Sequence, residues 1–236
     1  MTVAALVLAV FFLTVHNLGV ERLRPALYVP ACLTTTAVVV GLARLGGIDP
    51  GDLGVSVAGI GVGLAVAGGT LLAVVAAGLA RPTRRLFADR RMAGVAPRRT
   101  AYQALVRIPL GTVLVEEVAF RGVLLALGDR LLPLGWAVAG SSALFGLWHV
   151  VPVRSTLATN HVRATPALLG ATIVGLGMVG GALCWLRLFT GGLLAPAMVH
   201  ASASASATVV GSVVQRRSPP LVNGGRVARW FRSGSS

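Results

Sequence analysis

Residues 55–79 read VSVAGIGVGLAVAGGTLLAVVAAGL, twenty-five positions without one charged side chain. About 20 apolar residues suffice to cross a hydrocarbon core of ~30 Å as a helix. A transmembrane barrel would need short alternating strands with polar turns, so helix is the only spanning structure this stretch can form. Six further stretches of the same kind flank it, at roughly 3–19, 26–45, 102–127, 133–151, 167–188 and 192–214. The predicted fold is all-α: a polytopic transmembrane bundle of about seven helices.

Composition agrees. Mean hydropathy is +0.81 and only 12% of residues are charged, where a soluble domain carries about 25%. The apolar stretches are too many for one cleaved leader. Gly59, Gly61, Gly63, Gly68 and Gly69 in the third span, and Gly175, Gly177, Gly180 and Gly181 in the sixth, predict close helix packing. Cys32 and Cys184 both fall inside apolar spans and are expected to be small core residues.

The formal net charge of +14 does not indicate a nucleic-acid partner, because the arginines sit in loops between spans. No lysine occurs; all 21 basic residues are Arg. Arg22 and Arg24, the 81–101 loop with Arg81, Arg84, Arg85, Arg90, Arg91, Arg98 and Arg99, then Arg154, Arg163 and the tail all fall on one side. Arg44, Arg130 and Arg187 fall on the other. The positive-inside rule then places the N-terminus outside and the C-terminus in the cytoplasm. Composition suggests a bacterial plasma membrane. Within the loop, 81–100 is expected to form an interfacial helix, with Leu86, Phe87 and Met92 opposite the arginines. Three regions result: N-terminal helices and basic loop (1–101), a helical core (102–214), and a basic tail (215–236) expected to be disordered.

Two of the three glutamates, Glu116 and Glu117, lie side by side in the middle of the fourth span. Each charge at that depth costs ~2.5–3.5 kcal/mol on insertion scales. Arg121, four residues after Glu117, shares its helical face and supplies a counter-charge. Glu116 is turned about 100° away and is left for chemistry as a general base. Arg107, near the inner end of the span, is expected to snorkel. Two histidines follow in later spans: His149, and His200 with Ser204 one turn on. At ~1.5 Å per residue from the inner ends, Glu116 and His200 lie ~18 Å deep and Ser204 ~12 Å, but His149 only ~6 Å. The spans alone leave open whether they converge. His16 and His161 lie near loop boundaries and are read as incidental.

The run Glu116-Glu117-Val118-Ala119-Phe120-Arg121 matches EExxxR, and Phe145 to His149 matches FxxxH. Thr190 to His200 resembles a last segment that ends in HxxxN. Together they resemble the CPBP intramembrane proteases, also called the ABI or CAAX-protease family, over about 102–210. The resemblance implies a helical membrane endopeptidase acting on membrane-associated proteins or peptides within the lipid bilayer. Eukaryotic relatives trim prenylated CAAX proteins, and some bacterial members are linked to bacteriocin processing or immunity. It implies Glu116 as base, His149 assisting, His200 and Ser204 polarising the scissile carbonyl, and Glu117 with Arg121 holding the site. Glu116, His149 and His200 could also hold Zn²⁺, which would make the enzyme a metalloendopeptidase. The family's last Asn is Ser204 here, a shorter side chain with a single donor. Two other functions stay open: a catalytically weak or inactive scaffold or bacteriocin-immunity protein of the same fold, and a proton-coupled transporter.

Overall fold

The computed structural model describes residues 1–217; residues 218–236, most of the tail expected to be disordered, lie outside the described residues. Seven long helices are present: α1 (Thr2–Gly19), α2 (Pro25–Leu45), α3 (Ile60–Leu79), α4 (97–129), α5 (Leu134–Thr159), α6 (Pro166–Thr190) and α7 (Leu194–Arg217). No strand occurs among the described residues. The chain is a multi-pass helical bundle. Among the described residues six helices are long and apolar enough to cross a membrane; α4 differs from them in carrying Arg107, Glu116, Glu117 and Arg121.

The bundle is built around α4. Ala119, Phe120, Val123, Leu124 and Leu127 pack against Ala9 and Leu13 of α1, Val39 and Ala43 of α2, and Phe145 of α5. The outer helices expose their large apolar residues instead, Leu72, Trp136 and Trp185 among them. Polar side chains are thus carried by the helix farthest from lipid, where protein partners can satisfy them. The helix is wound loosely in two places, Gln103–Val113 and Glu117–Leu124. There i→i+5 hydrogen bonds appear, such as Leu114 N–H to the Pro109 carbonyl and Leu125 N–H to that of Phe120. Such π-type turns concentrate at functional sites.

Loops group at two ends. At the Arg-rich end, Asn160 Nδ2 donates to Asp89 and Arg216 to the Val95 carbonyl. Arg107 also reaches this end, pairing with Glu21 at 3.1 Å. At the other end, Arg130 pairs with Asp52 at 2.8 Å. Asp52 is held below the usual carboxylate range, chiefly by the hydrogen bond from Arg130.

Several boundaries differ from expectation. The third helix starts at Ile60 rather than 55, because Gly59 is left-handed (φ +73) and ends the preceding loop. The interfacial helix over 81–100 is instead two short 3₁₀ turns, Arg84–Phe87 and Arg90–Met92. Asp89 caps the second of them, Gly94 turns left-handed, and α4 begins at Pro97. Leu86 and Met92 do not share an apolar face: Met92 is buried, whereas Leu86 is 82% exposed. Residues 215–217 extend α7 rather than starting the tail. The largest difference is α5, which continues past 151 through Pro152 to Thr159 and carries Arg154 within it. His149 caps the first segment, Leu134–Trp148, and precedes the second, Val150–Thr159, so it sits at an interruption within α5 rather than near its end.

The glycines divide. A Cβ on Gly146 would overlap the Ile173 carbonyl of α6, and one on Gly180 would meet Phe145 at 3.1 Å. Gly61, Gly68, Gly69 and Gly175 have nothing within 4 Å and are not packing sites. Gly146→Val is expected to destabilise the bundle by about 1–3 kcal/mol, since a backbone carbonyl cannot yield. Thermal unfolding in detergent checks this, with Gly175→Val as the control that leaves the midpoint unchanged.

Candidate active site

Three helices bring five of the predicted residues together. Helix α4 supplies Glu116, Glu117 and Arg121, α5 supplies His149, and α7 supplies His200. Glu117 and Arg121 form an ion pair at 3.0 Å, with side chains 1% and 0% exposed. The Arg121 guanidinium also lies over the Phe145 ring, 4.0 Å from its centroid, a cation–π contact.

Glu117 does more than balance Arg121. Its Oε1 also accepts a 2.7 Å hydrogen bond from His200 Nδ1. One carboxylate oxygen thus ties α4 to α7 and sets the orientation of the imidazole. With Nδ1 donating to Glu117, a neutral His200 keeps its lone pair on Nε2.

His149 is oriented by a different device. Its Nδ1 lies 2.8 Å from the Phe145 carbonyl oxygen one turn earlier. A carbonyl can only accept, so Nδ1 carries the proton and Nε2 is the unprotonated nitrogen of the neutral ring. Both imidazoles therefore turn Nε2 toward Glu116. The distances to Glu116 Oε2 are 3.9 Å from His149 and 3.7 Å from His200. Oε2 is buried and has no hydrogen-bond partner among the described residues.

The other Glu116 oxygen is held. Trp148 Nε1–H donates to Oε1 at 3.0 Å. Trp148 is in turn braced by α1: His16 stacks on its indole at 6.1 Å, and Asn17 Nδ2 donates to its carbonyl oxygen at 2.9 Å. His16 also bonds Thr35 of α2 at 2.9 Å, so it is a brace rather than an incidental residue. Sequence reasoning read Trp148 only as a spacer in FxxxH. Its adjacency to His149 was the one signal available, and nothing in α1 marked His16 or Asn17. Trp148→Phe removes a hydrogen bond to a buried carboxylate while keeping an aromatic ring. It is expected to lower activity about tenfold to a hundredfold, read as kcat/KM on any cleaved peptide beside a circular-dichroism control.

Ser204 is placed differently. It lies one turn beyond His200 on α7, and its hydroxyl makes no hydrogen bond among the described residues; its carbonyl accepts from Thr208. The neighbouring serines are committed: Ser202 donates to the Ala67 carbonyl of α3, and Ser206 back to that of Ser202.

Among the described residues no group of three His, Cys, Asp or Glu has metal-holding geometry. No step below passes through a metal ion.

Residues 98–206 match the family model described as type II CAAX prenyl endopeptidase Rce1-like. This region belongs to the CAAX-protease family. No curated protein and no solved structure matches the chain. The CAAX-protease match contains Glu116, Glu117, Arg121, His149, His200 and Ser204, but stops short of the α1 residues that brace Trp148. Membership supports an intramembrane protease acting on membrane-associated substrates.

Proposed function

We propose that the chain is an endopeptidase that hydrolyses peptide bonds inside the bilayer with a water activated by Glu116. One observation carries the reading. A buried carboxylate oxygen without a protein partner faces two imidazole nitrogens, each with its other nitrogen tied elsewhere. Separations of 3.7–3.9 Å are too long for direct hydrogen bonds. We place a water in contact with all three groups, where it would bridge separations too long for direct bonds.

In the reaction, Glu116 Oε2 takes a proton from that water as its oxygen attacks the scissile carbonyl carbon. Trp148 keeps the carboxylate from turning away. The cluster holds two carboxylates against one guanidinium, so a protonated His200 balances it and can donate Nε2–H to the developing oxyanion. His149 Nε2 accepts from the same water and orients its lone pair. The Ser204 hydroxyl is the second oxyanion donor, in the place where the family carries Asn. Glu116 then passes its proton to the amide nitrogen, the C–N bond breaks, and a carboxylate and an amine leave. The substrate is a membrane-associated peptide; the prenylated carboxyl terminus named in the family description is one candidate class.

The test is cleavage of a quenched membrane-peptide library, together with a prenylated peptide, by purified protein in detergent. Wild type and Glu116→Gln are run with and without a chelator. Cleavage by wild type alone supports the reading. Equal cleavage by both removes Glu116 as the base. Activity that a chelator removes and zinc restores would assign Glu116, His149 and His200 to a metal instead.

A further inference from the structure

At the Arg-rich end of the bundle, α3 and α7 line a groove of about 380 Å³. That volume falls in the range of small-molecule sites. Its walls are Val75, Gly78, Val210 and Val213, and its mouth is flanked by Arg84 and Arg217. The helices touch along its wall, where a Cβ on Gly78 would overlap Val210.

The two arginines set this groove apart from ordinary lipid-facing surface. No acidic residue lines it. Arg84 and Arg217, like most arginines of this end, have no carboxylate partner among the described residues, and both are exposed; what marks them is that both flank one apolar groove. Arg217 ends α7 and Arg84 opens the 3₁₀ turn that follows α3, while the valines belong to the two apolar helices themselves. Paired guanidiniums bind phosphate with matched fork geometry, and basic pockets between transmembrane helices select anionic headgroups.

We propose that the groove is a binding site for one anionic phospholipid, its phosphate between Arg84 and Arg217 and an acyl chain along Val75, Gly78, Val210 and Val213. The chain's own tail is a poor competitor on charge, since residues 218–236 contain three arginines and no acid. The site is remote from Glu116 in function, and the inference does not rest on the protease reading.

Native mass spectrometry of the full chain in detergent tests it, with phosphatidylglycerol and phosphatidylcholine of identical acyl chains. Wild type is expected to retain one phosphatidylglycerol at least tenfold more strongly than phosphatidylcholine. Arg84→Ala/Arg217→Ala is expected to remove that preference, as two surface arginines near an anionic headgroup would. The same change at Arg22 and Arg24 should leave it intact. Val213→Trp, which fills the groove, should block retention, and millimolar inorganic phosphate should not compete. Equal retention of both lipids, or loss in the Arg22/Arg24 control as large as at Arg84/Arg217, overturns the proposal. So does full retention by Val213→Trp, while competition by free phosphate would show an anion site without a lipid.

Discussion

Glu116→Gln is expected to lower the rate of peptide cleavage by about 10²–10⁴-fold, the range a positioned general base contributes. Glutamine is close to isosteric, and its amide oxygen can still accept from Trp148 Nε1–H, 3.0 Å from Oε1 in the native site. What it lacks is the basicity to take a proton from water. The bundle should therefore unfold at the same temperature or slightly higher, since one buried charge has been removed. The split between rate and stability is the informative result. A variant that loses activity and also unfolds early would mean that Glu116 holds the helices together. The stopped cleavage assay and a melting curve on one preparation distinguish these outcomes.

Arg121→Met should have the opposite signature. It leaves Glu117, 1% exposed, without its cation. Breaking a buried pair on one side typically costs about 3–5 kcal/mol, because an uncompensated charge remains. The melting midpoint should fall by many degrees, and activity with it, since the oxygen that orients His200 is the same Glu117 Oε1. Glu117→Met/Arg121→Met removes both charges and should recover most of the lost stability, as apolar replacement of buried pairs does elsewhere. Activity should stay low, because His200 Nδ1 then has no carboxylate to hold it. Recovery of activity in the double variant would show that Glu117 serves the fold alone.

Much of this was legible without coordinates. Uncharged runs such as 55–79 can only be helices in a bilayer, and two acids with an Arg four residues on had to be enclosed by protein. The contacts that complete the site were not legible. Span boundaries were read from apolar composition, and α5 carries its helix beyond the apolar run, through Pro152 to Thr159. Glu117 was assigned to Arg121 because i,i+4 spacing shows that pair, whereas its bond to His200 joins residues 83 positions apart. No periodicity encodes such a contact. The Trp148 bond to Glu116 and the stacking of His16 depend likewise on how α1 and α5 cross α4.

The enclosure of α4 bears on how the chain enters the membrane. A translocon weighs each emerging segment against lipid, and Arg107, Glu116, Glu117 and Arg121 each count by ~2.5–3.5 kcal/mol against release if near the centre. Alone, this segment would be a poor candidate for lateral exit. The α1–α2 pair precedes it in synthesis and carries the surfaces it packs against, Ala9, Leu13, Val39 and Ala43. The first two helices thus act as a receiving platform during biogenesis. A copy of the CAAX-protease domain expressed without them would have to integrate its most polar helix with no protein waiting to shelter it.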